Sequence, residues 1–282
     1  MISIHLGAKI HSEYRTVQLG SRRHRILILR PADQPEGRLL PGVLWIHGGG
    51  YVSGMTEMVY ATRAFDLVAA GGAVVVSPGY TLSFKAPYPA AMEDCYNALL
   101  YMKNNAKELG IRDDQLMVGG ESAGGGLTAA VCMYAKDRGE VNVAFQMPLY
   151  PMLDCYDTPS SRDNHAKGWD TRQNHLAWRL YLRGLKKDEP VPCYASPSRR
   201  EDYSGLPPCY TFVGDLEPFL DETLTYVENL KKAGVEAEAD VWPGFWHAYD
   251  VMHAEKPESK QAAEKFLQRF REACEKYFAP QN

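Results

Sequence analysis

Between residues 43 and 149 the chain alternates short, unbroken apolar runs with longer stretches patterned for helices, and few folds accommodate that rhythm. Val43-Leu-Trp-Ile46 and Ala73-Val-Val-Val76 are apolar at every position, as strands covered on both faces must be. An amphipathic stretch from about Met58 to Ala70 lies between them. The pattern repeats, with a helix predicted from about Pro89 to Lys107, a strand at Gln115 to Gly119, a helix from Ala123 to about Asp137 and a strand at Val143 to Leu149. Such alternation predicts an α/β protein, in which a mainly parallel central sheet is flanked by helices. Two β-like runs within residues 14–30, the second from Arg25 to Arg30, read as an antiparallel edge of that sheet.

After Pro151 the alternation stops. Residues 152–205 carry Tyr156, Trp169, Trp178, Tyr181 and Tyr194 among polar residues, with a short helix expected around Asn174 to Leu182. A stretch of that length is too long for an ordinary connection, so it is expected to form a small cap, or lid, inserted into one domain spanning residues 1–282. Regularity returns with a strand at Cys209 to Val213, a helix from about Leu220 to Ala233 that Gly234 stops, a strand at Ala237 to Trp242 and a last helix from about Ser259 to Tyr277.

The bulk properties exclude several classes. The formal net charge is −4 over 282 residues, and the basic runs (Arg22-Arg23 with Arg25, Lys186-Lys187, Arg199-Arg200, Lys231-Lys232) are short and scattered, so no nucleic-acid partner is expected. The first ten residues lack the basic start and apolar run of a secretion signal, and no stretch approaches the apolar length of a membrane span. The expectation is a soluble, cytoplasmic protein without a membrane partner. Its six cysteines show no C-x-x-C and no histidine at zinc-site spacing, which predicts reduced, mostly buried thiols and no metal. Nothing in the sequence fixes the oligomeric state.

The chemistry concentrates at two glycine-rich turns. Gly120-Glu-Ser-Ala-Gly124 forms G-x-S-x-G directly after a predicted strand and before a predicted helix. That context makes Ser122 a candidate nucleophile, because a tight strand-to-helix turn between small residues pushes a serine Oγ into the open. No phosphate-loop motif is present to compete for the same turn. Earlier, the strand ending at Ile46 runs into His47-Gly-Gly-Gly50. Acyl transfer builds negative charge on a carbonyl oxygen, and the N–H groups of Gly48 and Gly49, with that of Ala123 after the nucleophile, are the expected donors for it. His47 is expected to hold this loop.

Of the eight histidines, His5, His11 and His24 are N-terminal, and His165 and His175 fall in the insertion. Only His247 and His253 follow the last predicted strand, and His247 comes first, in Pro243-Gly-Phe-Trp-His247, where it can serve as general base. The base needs a carboxylate to accept its other N–H, expected after the strand ending at Val213. Asp215 and Glu217 are the candidates there. Asp221 and Glu222 fall in the first turn of the next helix, where the helix dipole already favours acids.

Together, His-Gly-Gly-Gly at 47–50, Gly-Glu-Ser-Ala-Gly-Gly at 120–125, the helix start Tyr88-Pro-Ala-Ala-Met-Glu-Asp94 and the segment ending Gly-Phe-Trp-His247 resemble the hormone-sensitive-lipase-like branch of the α/β-hydrolases, the bacterial acetyl esterases and carboxylesterases. The resemblance implies the α/β-hydrolase fold with a small cap, a serine carboxylesterase acting on a small-molecule ester with short acyl chains, and no cofactor. It also selects Glu217 over Asp215, because Glu217-Pro-Phe-Leu-Asp-Glu222 matches the family's Asp-Pro-Leu-x-Asp-Glu with glutamate in the acid's place. Two departures stand out. Only 46 residues precede His47, and the family's Asp-Tyr-Arg-Leu-Ala-Pro-Glu is here Gly79-Tyr-Thr-Leu-Ser-Phe-Lys85, which removes a charged cluster near the site. Trp169, Trp178 and Trp246 are candidate pocket residues. A peptidase or amidase on the same fold, and a non-catalytic binding protein, are the rival readings.

Overall fold

The strands that the sequence marks as apolar throughout lie at the centre of an eight-stranded sheet of order β1-β2-β4-β3-β5-β6-β7-β8. The computed structural model describes residues 10–186 and 188–282, so the readings of the first nine residues, His5 among them, and of Lys187 lie outside it. The strands are β1 (Ile10–Leu19), β2 (Arg22–Pro31), β3 (Leu40–Ile46), β4 (Val74–Pro78), β5 (Ile111–Glu121), β6 (Phe145–Leu149), β7 (Cys209–Gly214) and β8 (Ala237–Trp242). Pairing is parallel from β4 through β8 and antiparallel for β1–β2 and β2–β4. The helices are α1 (Arg63–Ala69), α2 (Ala90–Asn104), α3 (Ala106–Leu109), α4 (Ala123–Arg138), α5 (Thr171–Leu182), α6 (Leu220–Lys232), α7 (Tyr249–Met252) and α8 (Pro257–Lys276).

Both faces of the sheet are covered, which is why its central strands are apolar at successive positions. Ile26, Ile28, Leu44, Ile46, Val74, Val76, Leu116 and Val118 enter the core beneath α2 and α4. Their neighbours Leu27, Leu29, Val43, Trp45, Ala73, Val75 and Met117 enter the core beneath α1 and α8. The period of two along each strand thus feeds two cores. At the free edge, the acids at alternate positions of β8 and just before it meet basic residues of α8: Asp240 with Lys265, Glu238 with Arg269 and Glu236 with Lys276.

Several element limits differ from the sequence reading. The stretch from Met58 to Ala70 is a 3-10 turn at Thr56–Ala61 followed by α1. The helix expected from Pro89 to Lys107 breaks at Asn105, whose amide side chain donates to the Tyr101 carbonyl (2.8 Å) and competes with the helical ladder. Strand β5 begins at Ile111, four residues early, because its start pairs with Leu40 and Pro41 across a register shift.

The chain steps from β3 to β4 on one side and then returns to β5 on the other. That reversal opens a crevice at the carboxyl ends of β3 and β5, the usual place for a ligand site in such sheets. Between β6 and β7 the inserted segment contains α5, capped by a reciprocal Asp170–Gln173 box, and a 3-10 turn at Pro197–Arg199. It is fastened to the sheet domain at several points. Tyr51 stacks on Tyr181 with centroids 4.1 Å apart, Tyr88 N–H donates to the Tyr181 carbonyl, and the Glu222 carboxylate accepts the N–H groups of Leu153 and Asp154. No described helix is long and apolar enough to cross a membrane.

Candidate active site

Ser122 caps α4 at φ 58°, ψ −120°, a conformation a non-glycine residue adopts only when its surroundings impose it. Those surroundings are the end of β6 and the first residues of the insertion. Ser122 N–H donates to the Leu149 carbonyl, and the Ser122 carbonyl accepts from Gly126 and Met152 (3.0 Å each). Gly120 and Gly124 are required by close approach, since a methyl group on either would strike the Ile46 carbonyl.

His247 arrives on the loop after β8. Its Nε2 lies 2.8 Å from Ser122 Oγ and accepts the hydroxyl proton, while its Nδ1–H donates to Glu217 Oε2 at 2.6 Å. All three are buried, at 6%, 5% and 2% exposure for Ser122, His247 and Glu217. Tyr150 and Phe219 pack edge-on against the imidazole, with centroids at 5.3 and 5.1 Å, and Trp169 of the insertion tilts over it at 6.2 Å. Burial pushes the Glu217 carboxyl above its usual range, and the neighbouring His247 opposes that rise. Glu217 Oε1 also accepts Gly214 N–H across a tight turn (3.3 Å).

The same turn separates the two candidate acids. Glu217 faces inward, whereas Asp215 is exposed and accepts Gly244 N–H at 2.7 Å, bracing the loop that carries His247. Asp221 accepts Ser160 N–H, and Glu222, fully buried, holds the backbone at Leu153 and Asp154; both tie down the insertion. The structure therefore brings Ser122, His247 and Glu217 into one hydrogen-bonded line and leaves Asp215 outside it. His253 stands apart, at the surface beside Glu255.

The glycine loop closes the other side. Gly48 lies so near the elbow that a methyl group on it would sit 3.3 Å from Ser122 Cβ. The N–H groups of Gly48, Gly49 and Ala123 take part in none of the hydrogen bonds among the described residues. His47 Nδ1–H donates to the Gly48 carbonyl (2.8 Å), and its ring stacks on Tyr80, whose hydroxyl donates to the His47 carbonyl (3.1 Å). Burial pulls His47 down to about 4, so it is neutral at physiological pH. Gly49 reaches φ +109°, a turn for which glycine is suited.

Tyr80 belongs to the segment where the sequence lacks a charged cluster, yet a cluster is present. Asp94 is fully buried and accepts Thr81 N–H, with Arg22 (2.9 Å) and His24 (3.1 Å) of β2 beside it. The basic members, Arg22 and His24, come from another strand, which no local motif announces.

A family model of the α/β-hydrolase fold matches residues 43–251. The chain belongs to the hormone-sensitive-lipase-like branch of the α/β-hydrolases. Similar proteins include the esterase LipI of Mycobacterium tuberculosis, 32% identical over 85% of this chain and 76% of its own length. An acetyl-hydrolase of Streptomyces hygroscopicus is 30% identical over 84% of this chain and 76% of its own. Among solved structures, a bacterial heroin esterase superimposes with a TM-score of 0.88 at 33% identity, covering 95% of this chain and 85% of that one.

Proposed function

We propose that this α/β-hydrolase is a serine carboxylesterase that hydrolyses short-chain, acetyl-like esters through an acyl-enzyme. The observation that carries the reading is the line Ser122 Oγ, His247, Glu217, at 2.8 and 2.6 Å. Ser122 attacks the ester carbonyl as its proton passes to His247 Nε2, and Glu217 holds the ring and stabilises the imidazolium. The N–H groups of Gly48, Gly49 and Ala123 receive the developing oxyanion. His247 then protonates the leaving alcohol, and water, deprotonated by the same imidazole, releases the acid.

A short acyl chain is favoured by the roof over the site, where Trp169 lies against Gly50 and over His247, and by the likeness to an acetyl-hydrolase. Residues 152–205 act as the cap in this reading. A cytoplasmic setting belongs to it too, in keeping with six free cysteines. The test is turnover of p-nitrophenyl acetate, butyrate and octanoate beside Ser122→Ala, Glu217→Gln and Asp215→Asn. The expected result is fastest turnover of the short esters, none by Ser122→Ala and near-normal turnover by Asp215→Asn. A preference for octanoate overturns the chain-length assignment, and an inert wild type overturns the esterase.

A further inference from the structure

On the face of the sheet beneath α1 and α8, the triad is backed by buried charge that the hydrolysis above does not use. Arg63, in the first turn of α1, is 6% exposed, with Nη1 2.9 Å from Asp66 and Nε 3.4 Å from Asp250. Asp250 is 1% exposed and lies on the one-turn helix α7, three residues beyond His247. Between them Ala248 adopts φ +60°, so the turn that presents the imidazole is strained and needs a hold from outside. Tyr150, itself at φ 32°, packs edge-on against His247, and Asp250 lies within electrostatic reach of its hydroxyl.

A buried ion pair is a poor source of stability, because desolvation consumes much of its Coulomb energy and an apolar pair of similar size does as well. Removing one partner leaves a stranded charge. Such a pair beside a strained turn fits the work of fixing geometry. The site's other walls already contain Phe219 and Trp169, which pack on the ring without gripping the backbone that carries it.

We propose that Asp250, held by Arg63, is a positioning residue for His247: it locks the turn through Ala248 and, with Tyr150, the plane of the imidazole. The inference rests on the Ser122–His247–Glu217 reading. The titratable groups in contact with His247 are Glu217 after β7 and Tyr150 after β6, and behind them stand Asp250 on α7, Arg63 and Asp66 of α1 and Glu121 at the end of β5.

The experiment compares wild type with Asp250→Asn, which keeps the size and removes the charge, and with the double variant Arg63→Met/Asp250→Leu, which removes both members of the buried pair and leaves the partly exposed Asp66. For p-nitrophenyl acetate, kcat is expected to fall roughly ten- to a hundredfold in both, the size of effect a small misplacement produces, with KM within about twofold. The acid limb of kcat/KM should move to lower pH in Asp250→Asn, since the triad loses a nearby negative charge. Labelling of Ser122 by a fluorophosphonate should slow by the same factor as kcat. That probe needs an activated serine but no ester recognition, so a wild type that labels yet hydrolyses nothing breaks the esterase reading and leaves this test intact. Wild-type kcat and an unmoved acid limb in either variant overturn the proposal. So does a fall in kcat that only tracks a fall in labelled sites, because that is loss of folded protein.

Discussion

Carboxylates stand in two contrasting settings in this protein. At the carboxyl ends of the strands Glu121, Glu217, Glu222 and Asp250 are all buried, and burial pushes each of them upward. Along the free edge, Glu236, Glu238 and Asp240 alternate on or next to β8, each against a cation of α8, and the Lys276 hydrogen bond draws Glu236 down. The first group raises the cost of folding and gains a poised imidazole; the second costs little, adds little and keeps an open sheet edge charged. The same residue type is therefore buried around a hydrogen-bonded imidazole in one place and solvated along a sheet edge in the other, and its environment decides which.

The contrast breaks most visibly at Ser122, the proposed nucleophile. Ser122→Ala should lower kcat by roughly 10⁵-fold or more, since the members of such a unit fail together. Circular dichroism should show the fold intact, because the alanine removes one buried hydroxyl. Residual turnover above about 1% of wild type places the nucleophile elsewhere.

Glu217→Gln should come next, with a loss of roughly 10²- to 10⁴-fold in kcat, because an amide cannot both keep the Nδ1–H tautomer and stabilise the imidazolium. Asp215→Asn should stay within about threefold, its oxygen still able to accept Gly244 N–H. Steady-state kinetics of the two variants side by side decide between an inward and an outward carboxylate two residues apart. Reversed ranks would mean that the turn after β7 closes differently in solution.

Glu121, the neighbour of Ser122, sharpens the comparison on the stability axis. Burial pushes its carboxyl from 4.5 up to about 8, and Trp45 Nε1 donates to it at 2.9 Å. An acid whose folded pKa exceeds its unfolded one takes up a proton on folding, so its contribution is fully present below 4.5 and is lost as pH rises to about 8. Glu121→Gln removes this dependence while keeping an oxygen for Trp45. Its urea stability relative to wild type should improve by a few kcal/mol between pH 5 and pH 8. A difference that stays flat across that range means the carboxyl is not held protonated.

The fold was legible because its signals are local or periodic. Apolar runs marked β3 and β4, glycine spacing marked the elbow, and chain order picked His247 from among eight histidines. The candidate acid needed the resemblance, because Asp215 and Glu217 differ only in how a four-residue turn faces them. Glu222, Arg63, Asp250 and Tyr80 were not legible as parts of the site. Their partners lie far along the chain, at Leu153 for Glu222 and at His47 for Tyr80, and a helix-start acid looks the same whether it faces water or a buried backbone. The cluster at Asp94 shows the reverse case: a missing local motif did not mean missing charge, because β2 supplied it.

The smallest effect tests the other half of the comparison. Lys265 meets Asp240 at 2.6 Å, close enough to look like an anchor of α8 on the edge strand. Both side chains are reached by solvent, so most of the Coulomb attraction is screened and part of the remainder is offset by the entropy of holding a lysine still. Lys265→Ala should cost about 0.5 kcal/mol or less in chemical denaturation, fade in 1 M salt and leave kcat unchanged. Phe266 and Phe270, fully buried beneath the sheet on the other side of the same helix, hold α8 in place without it. A loss above about 2 kcal/mol, persisting in high salt, would put the edge ladder in the same class as the buried carboxylates. In that case exposure alone would no longer separate the charges that build the site from those that line the rim.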